Sequence, residues 1–151
     1  MEDPGIYARE ASYLGRYVQL GTASGKLLSV SFPHQPGDGD PDHPLLDRIE
    51  AYLEGTGDDF ADVDVALTLP TDRREVIDTL RTVGYGENVT VAALARMTPG
   101  LDGDEGSDHE LVREALADNP APLVVGDHRV RDGPSAAPPG VEQRLRALEG
   151  L

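Results

Sequence analysis

The sequence predicts an α+β protein: a small α/β part over residues 1–70, built on a β-hairpin, and a mainly helical part over 71–151. Three observations carry this. Two short runs rich in β-branched and aromatic residues flank Ala23-Ser24-Gly25. Leu45, Leu46, Ile49, Tyr52 and Leu53 recur at helical spacing. Beyond Pro70 alternation gives way to successive apolar faces of helical period.

Taken in order, Tyr17–Thr22 and Lys26–Phe32 read as strands joined by a tight turn at Ala23-Ser24-Gly25. Residues 33–44, full of Pro, Gly and Asp, read as a mobile, disordered-looking loop. Its His34 and His43 lack the further ligands a metal needs, so they read as solvated and no metal is expected. The helix through Leu45 and Leu53 stops at Gly55. Val63, Val65, Leu67 and Leu69 alternate strictly, which predicts a third strand closed by Pro70. Asp72 and Glu75 fit a helix start before Val76, Ile77, Leu80 and Val83. Gly84-Tyr85-Gly86-Glu87 is a turn, and Thr90 can cap a short helix through Val91, Leu94 and Met97. After an acidic turn, Ser107 and Glu110 form a capping box for a helix with Leu111, Val112, Ala115 and Leu116. Two short helices joined by a turn and preceded by a third read as a helix-turn-helix.

The 151 residues carry a formal net charge of −15, with twelve Arg and one Lys, Lys26. An acidic, Lys-poor surface suits a cytoplasm at very high salt, where self-repulsion is screened, so a halophilic source is expected. The zero cysteines exclude disulfides and thiolate metal sites. No apolar run reaches membrane-spanning length, and Met1-Glu-Asp-Pro has no basic or apolar signal region, so a cytoplasmic monomer is expected. The charge also argues against a broad basic DNA-binding patch, leaving local Arg placement and apolar contacts to carry any such binding.

The stretch Asn119-Pro-Ala-Pro-Leu-Val-Val-Gly-Asp-His-Arg-Val130 stands out. A turn leads into a buried apolar run, Leu123 to Val125, which lifts a polar tip of Asp127, His128 and Arg129 into reach. Asn119-Pro120 followed by His128-Arg129-Val130 resembles the active-site segment of the O-6-alkylguanine-DNA alkyltransferases, the methylated-DNA–protein-cysteine methyltransferases. Gly126 stands where that family has proline, and Asp127 where it has the methyl-accepting cysteine. Tyr85-Gly86-Glu87 before Val89-Thr90, Ala115-Leu116 before Asn119, and the final Leu145, Leu148, Glu149 and Gly150 add to the likeness.

The resemblance implies a ribonuclease-H-like N-terminal domain and a winged helix-turn-helix C-terminal domain, with no cofactor. It implies that His128 would activate the residue at 127, that Glu149 would orient His128, and that Asn119 would brace the loop, all vestigial without a thiol. A solvated surface Glu149 remains open. So does a bland Asp127–His128 charge pair ending a strand, or slow turnover through a methyl ester at Asp127. On the DNA side, Glu110 or Leu111 falls where the family inserts an arginine and Val91 where it has a tyrosine, while Thr90, Arg96, Arg113, Arg129 and Arg131 are candidate contacts. The expected activity is DNA binding without repair, with alkylated guanine a candidate ligand and a repair protein a candidate partner. A non-DNA interaction module and a turnover enzyme using Asp127 are the alternatives.

Overall fold

The structure, a computed structural model, describes residues 5–35 and 37–151. The N-terminal tetrapeptide read above for targeting, and Pro36 of the 33–44 loop, lie outside these residues. Three strands, β1 (Gly5–Ala11), β2 (Arg16–Ala23) and β3 (Lys26–Ser31), form an antiparallel sheet in that order. The β2–β3 turn is two residues long, with Ala23 paired to Lys26 and both Ser24 (φ 53) and Gly25 (φ 75) left-handed, the geometry that matches strand twist. β1 was not expected. Its buried positions are alanines, Ala8 and Ala11, and its half-exposed ones include Arg9, so the run shows no hydrophobic alternation.

Several sequence expectations need correction. The 33–44 segment is pinned at its far end, not free. Asp40 pairs with the outer edge of β1, its N–H donating to Ile6 O (3.1 Å) and its carbonyl accepting from Ala8 N (3.0 Å). Gly39 lies so close that a Cβ would meet Ala8 Cβ at 2.6 Å. Arg9 donates to Pro41 O, and His43 is no solvated histidine: its Nδ1 accepts from Leu45 N (3.0 Å) and caps the next helix. These are backbone and capping interactions that composition does not report. Nor does Val63–Leu69 form a strand. Only Val65 bridges to Leu27, while Arg81 takes the carbonyls of Phe60 and Val63. The alternation reflects Val63, Val65, Leu67 and Leu69 packing partly against the core, not a hydrogen-bonded ladder.

Five helices follow or interleave: α1 (Pro44–Leu53), α2 (Thr71–Leu80), α3 (Val91–Met97), α4 (Gly106–Ala117) and α5 (Pro139–Glu149). Thr90 caps α3 as its sequence suggests, with Oγ1 accepting from Ala93 N (3.0 Å). The Ser107–Glu110 capping box is absent. α4 begins at Gly106 with Glu105 at its N-cap position, two residues before a Ser107 cap would set it; Ser107 donates to Glu105, and Asp108 accepts from Asp102 N (2.8 Å). Helices α2, α3 and α4 pack on one another, and one apolar core runs from Val18 and Leu20 through Ile49, Leu80, Leu94 and Leu116 to Leu145.

Three contacts fasten the part before Gly55 to the part after α4. Val30 N donates to Pro120 O (2.9 Å). Tyr13 Oη donates to Arg144 O (2.8 Å), and Arg144 Nη1 donates back to Tyr13 O (2.6 Å). The third, at Tyr52, belongs to the site. No helix is long and apolar enough to cross a membrane among the described residues.

Candidate functional site

The segment from Asn119 to Val130 is held by its own first side chain. Asn119 Oδ1 accepts from Ala121 N (3.0 Å), turning the chain, and its Nδ2 donates to Val125 O (3.1 Å). Leu123, buried in this turn, has φ 79, a left-handed conformation that costs a bulky residue on the order of 1–2 kcal/mol. Val125 N to Ala121 O (2.8 Å) and a bridge between Val89 and Val130 then close the segment against the turn before α3.

The polar tip does not reach solvent. Asp127, His128 and Arg129 are 0%, 1% and 2% exposed. Ser135 Oγ donates to Asp127 Oδ1 (2.6 Å), while Asn119 Nδ2 (3.0 Å) and Ala136 N (2.8 Å) donate to Oδ2. The Asp127–His128 charge pair is therefore replaced by a clamp of neutral donors, drawn from Asn119 and from the loop after Val130. Burial pushes the Asp127 carboxyl above its ordinary value, and the three hydrogen bonds only partly oppose it.

His128 turns the other way, onto Glu149, the last residue of α5. His128 Nε2 lies 2.5 Å from Glu149 Oε2. The same carboxylate accepts from Tyr52 Oη (2.5 Å), Gly86 N (2.9 Å) and Arg129 Nε and Nη2 (2.8 and 3.1 Å). Burial alone would raise this carboxyl; hydrogen bonds from His128 and Arg129 hold it well below the usual carboxylate range. A solvated Glu149 is thus excluded: its side chain is wholly buried. Arg129 also donates to Val83 O (3.1 Å), which removes it from the residues able to meet a phosphate. His128 Nδ1 is buried and has no hydrogen-bond partner among the described residues.

Comparison with known proteins fits this arrangement. No protein-family model matches the chain. A methylated-DNA–protein-cysteine methyltransferase of Methanopyrus kandleri is 32% identical over 132 residues, covering 82% of this chain and 93% of that protein. The chain belongs to the methylated-DNA–protein-cysteine methyltransferase family. A second member, from Metallosphaera sedula, is 30% identical over 107 residues, 70% of this chain and 64% of that one. Among solved structures, the O6-methylguanine methyltransferase of Mycobacterium tuberculosis superposes with TM-score 0.72 at 22% identity, covering 97% of this chain and 91% of that chain. The OGT protein of the same organism in complex with DNA gives 0.72 at 24%, with the same coverage. The O6-methylguanine-DNA methyltransferase of Pyrococcus kodakaraensis gives 0.55 at 20%, covering 97% and 99%.

Within this alkyltransferase fold the other candidate residues separate. Arg96, Arg113 and Glu110 are exposed, on α3 and α4. Thr90 is half-buried and occupied as a cap. Val91 is buried, its N–H donating to Asp132 Oδ1 (2.7 Å). Three contributors escaped sequence reasoning. Tyr52 reads as one more apolar position of α1, since periodicity registers the ring and not the hydroxyl. Ser135 and Ala136 sit in a Pro/Ala-rich loop with no pattern of its own. A usable signal lay in Gly126: a Cβ there would meet Arg129 Nη1 at 2.8 Å, so glycine makes room for the inward guanidinium.

Proposed function

We propose that this family member binds DNA without accepting an alkyl group. The observation that carries the reading is how the arginines are spent. Arg9, Arg48, Arg73, Arg129 and Arg146 form ion pairs. Arg16, Arg81 and Arg144 bind carbonyls, and Arg131 reaches Asn88. Among the described residues Arg74, Arg96 and Arg113 have neither an ion pair nor a side-chain hydrogen bond, and they fall on α2, α3 and α4. In a chain of net charge −15, free guanidinium groups on the helix-turn-helix are what phosphate contact needs. A structural neighbour, the M. tuberculosis OGT protein, forms a complex with DNA, which supports DNA as the partner.

Transfer is a different matter. No thiol exists, and Asp127 is a hard carboxylate engaged by Ser135, Asn119 and Ala136. The reading includes a cytoplasmic monomer in a high-salt cell, a winged helix-turn-helix, and a repair protein as a second partner. Asp102, Asp108, Glu110 and Glu114 beside or on α4 limit affinity. Fluorescence anisotropy with methylated and unmethylated duplexes, titrated with salt, is expected to show weak binding at low salt with little lesion preference. Arg96→Ala with Arg113→Ala is expected to lower the salt slope by about two, roughly one for each phosphate no longer neutralised. An unchanged slope in the double variant sinks the reading and leaves the non-DNA interaction module. Mass spectrometry after incubation with O6-methylguanine DNA is expected to show no added methylene. A gain, or guanine released over many turnovers, promotes Asp127 to an acceptor.

A further inference from the structure

We infer that Tyr52, from the N-terminal half, is a positioning residue that fixes the His128 imidazole through the shared Glu149 carboxylate. This goes beyond DNA binding and does not depend on it. Tyr52 Oη, His128 Nε2 and Arg129 Nη2 converge on a single oxygen, Glu149 Oε2, at 2.5, 2.5 and 3.1 Å. An oxygen accepting several donors sets the direction of each, because each must avoid the others around its lone pairs.

The hydroxyl cannot wander. Tyr52 is 0% exposed, and its ring lies edge-on to Phe60 and Tyr85, with centroids 5.5 and 5.9 Å away. Phe60 is in turn covered by Arg48, itself tied to Asp58 and Asp62. Burial, reinforced by the neighbouring carboxylate, pushes the Tyr52 phenol well above its ordinary range, so it stays a donor.

The consequence falls on the imidazole. To donate to Glu149, Nε2 must carry a proton. The neutral ring then has Nδ1 as a bare acceptor, and Nδ1 is the buried ring nitrogen that no group among the described residues satisfies. Tyr52 joins Arg129 and Gly86 in holding the carboxylate, and so biases which nitrogen of His128 is basic. The sheet-and-α1 half thereby enters the site, although its own sequence carries no site motif.

Nitrogen-15 NMR of histidine-labelled protein tests this without DNA. In the unaltered chain His128 is expected as the Nε2–H tautomer, with a slowly exchanging Nε2 proton. Tyr52→Phe keeps the ring and its packing; it is expected to speed exchange of that proton roughly fivefold to tenfold, as loss of one net hydrogen bond implies, and to populate the Nδ1–H tautomer. A loss of stability alone does not count in favour. An Nδ1–H tautomer in the unaltered protein, or identical exchange and tautomer in Tyr52→Phe, overturns the inference. Should the variant not fold, tyrosine labelling of the unaltered chain decides instead. The Tyr52 hydroxyl proton should be protected and show a through-space contact to the His128 Nε2 proton; its absence overturns the inference equally. Because no nucleic acid is present, a failure here leaves the DNA reading standing, and the reverse.

Discussion

Two buried carboxylates lie on either side of one short segment, and they are stabilised by different means. Glu149 has a guanidinium, an imidazole, a phenol and a backbone N–H around it. Asp127 has a hydroxyl, an amide and a backbone N–H, with no cation bonded to it among the described residues. Both are satisfied in number of donors. Only Glu149 is compensated in charge, and so its acidity is strengthened while that of Asp127 is weakened. Hydrogen bonds fix a buried carboxylate in place; a cation is what keeps it comfortable as an anion.

The comparison breaks most visibly at Glu149. Glu149→Gln leaves Arg129 buried without a counter-charge, and chemical denaturation should register a loss of about 3–5 kcal/mol. A loss below about 1 kcal/mol would mean that water reaches Arg129. Ser135→Ala removes one neutral donor from the carboxylate of Asp127, and the same measurement should show a loss of about 1–3 kcal/mol, the cost of a buried acceptor left unmade. Asp127→Asn sharpens the contrast with the smallest effect. An amide can accept from Asn119 and Ala136 and donate to Ser135, so stability at neutral pH should change by less than about 1 kcal/mol, in either direction.

The pH dependence of that last variant separates the two sites. Asp127 has a raised folded value, so the unfolded chain gives up this proton first. Its contribution is fully present below about pH 3.9, the ordinary Asp value, and is lost as pH climbs through the raised folded value. Glu149 has a lowered folded value; its contribution is present above about pH 4.3, the ordinary Glu value, and is lost as pH falls through the folded one. Urea midpoints across the acid-to-neutral range should therefore show Asp127→Asn abolishing a decline on the alkaline side while leaving the acid-side loss intact. A curve parallel to that of the unaltered chain would show that Asp127 titrates as an ordinary carboxyl.

Much of this was legible in the sequence, and the reasons for what was not are physical. The hairpin, α1 and the helices from α2 to α4 follow from turn residues and apolar period, and α5 from the resemblance at Leu145, Leu148, Glu149 and Gly150. The His128–Glu149 contact was expected from the resemblance of two short motifs. What failed were inferences from polarity to exposure. Asp127, Arg129 and His43 are polar, and each is spent inside the fold: on a clamp, an ion pair and a helix cap. The 33–44 segment looked free because the backbone pairing of Asp40 leaves no trace in side-chain chemistry. β1 was invisible because its inward residues are alanines.

The separation of Tyr52 from its partner has a consequence for how the protein is made. The two residues are 97 positions apart in the chain. A ribosome releases the sheet and α1 long before residue 149 has been joined, so the nascent N-terminal half must wait with the Tyr52 hydroxyl unpaired. Domains built from local contacts can fold as they emerge; a half whose buried hydroxyl is satisfied only by the end of α5 cannot finish until α5 exists. During that interval the exposed edge of β3, whose Val30 N–H later meets Pro120, is a place where two nascent chains could pair with each other.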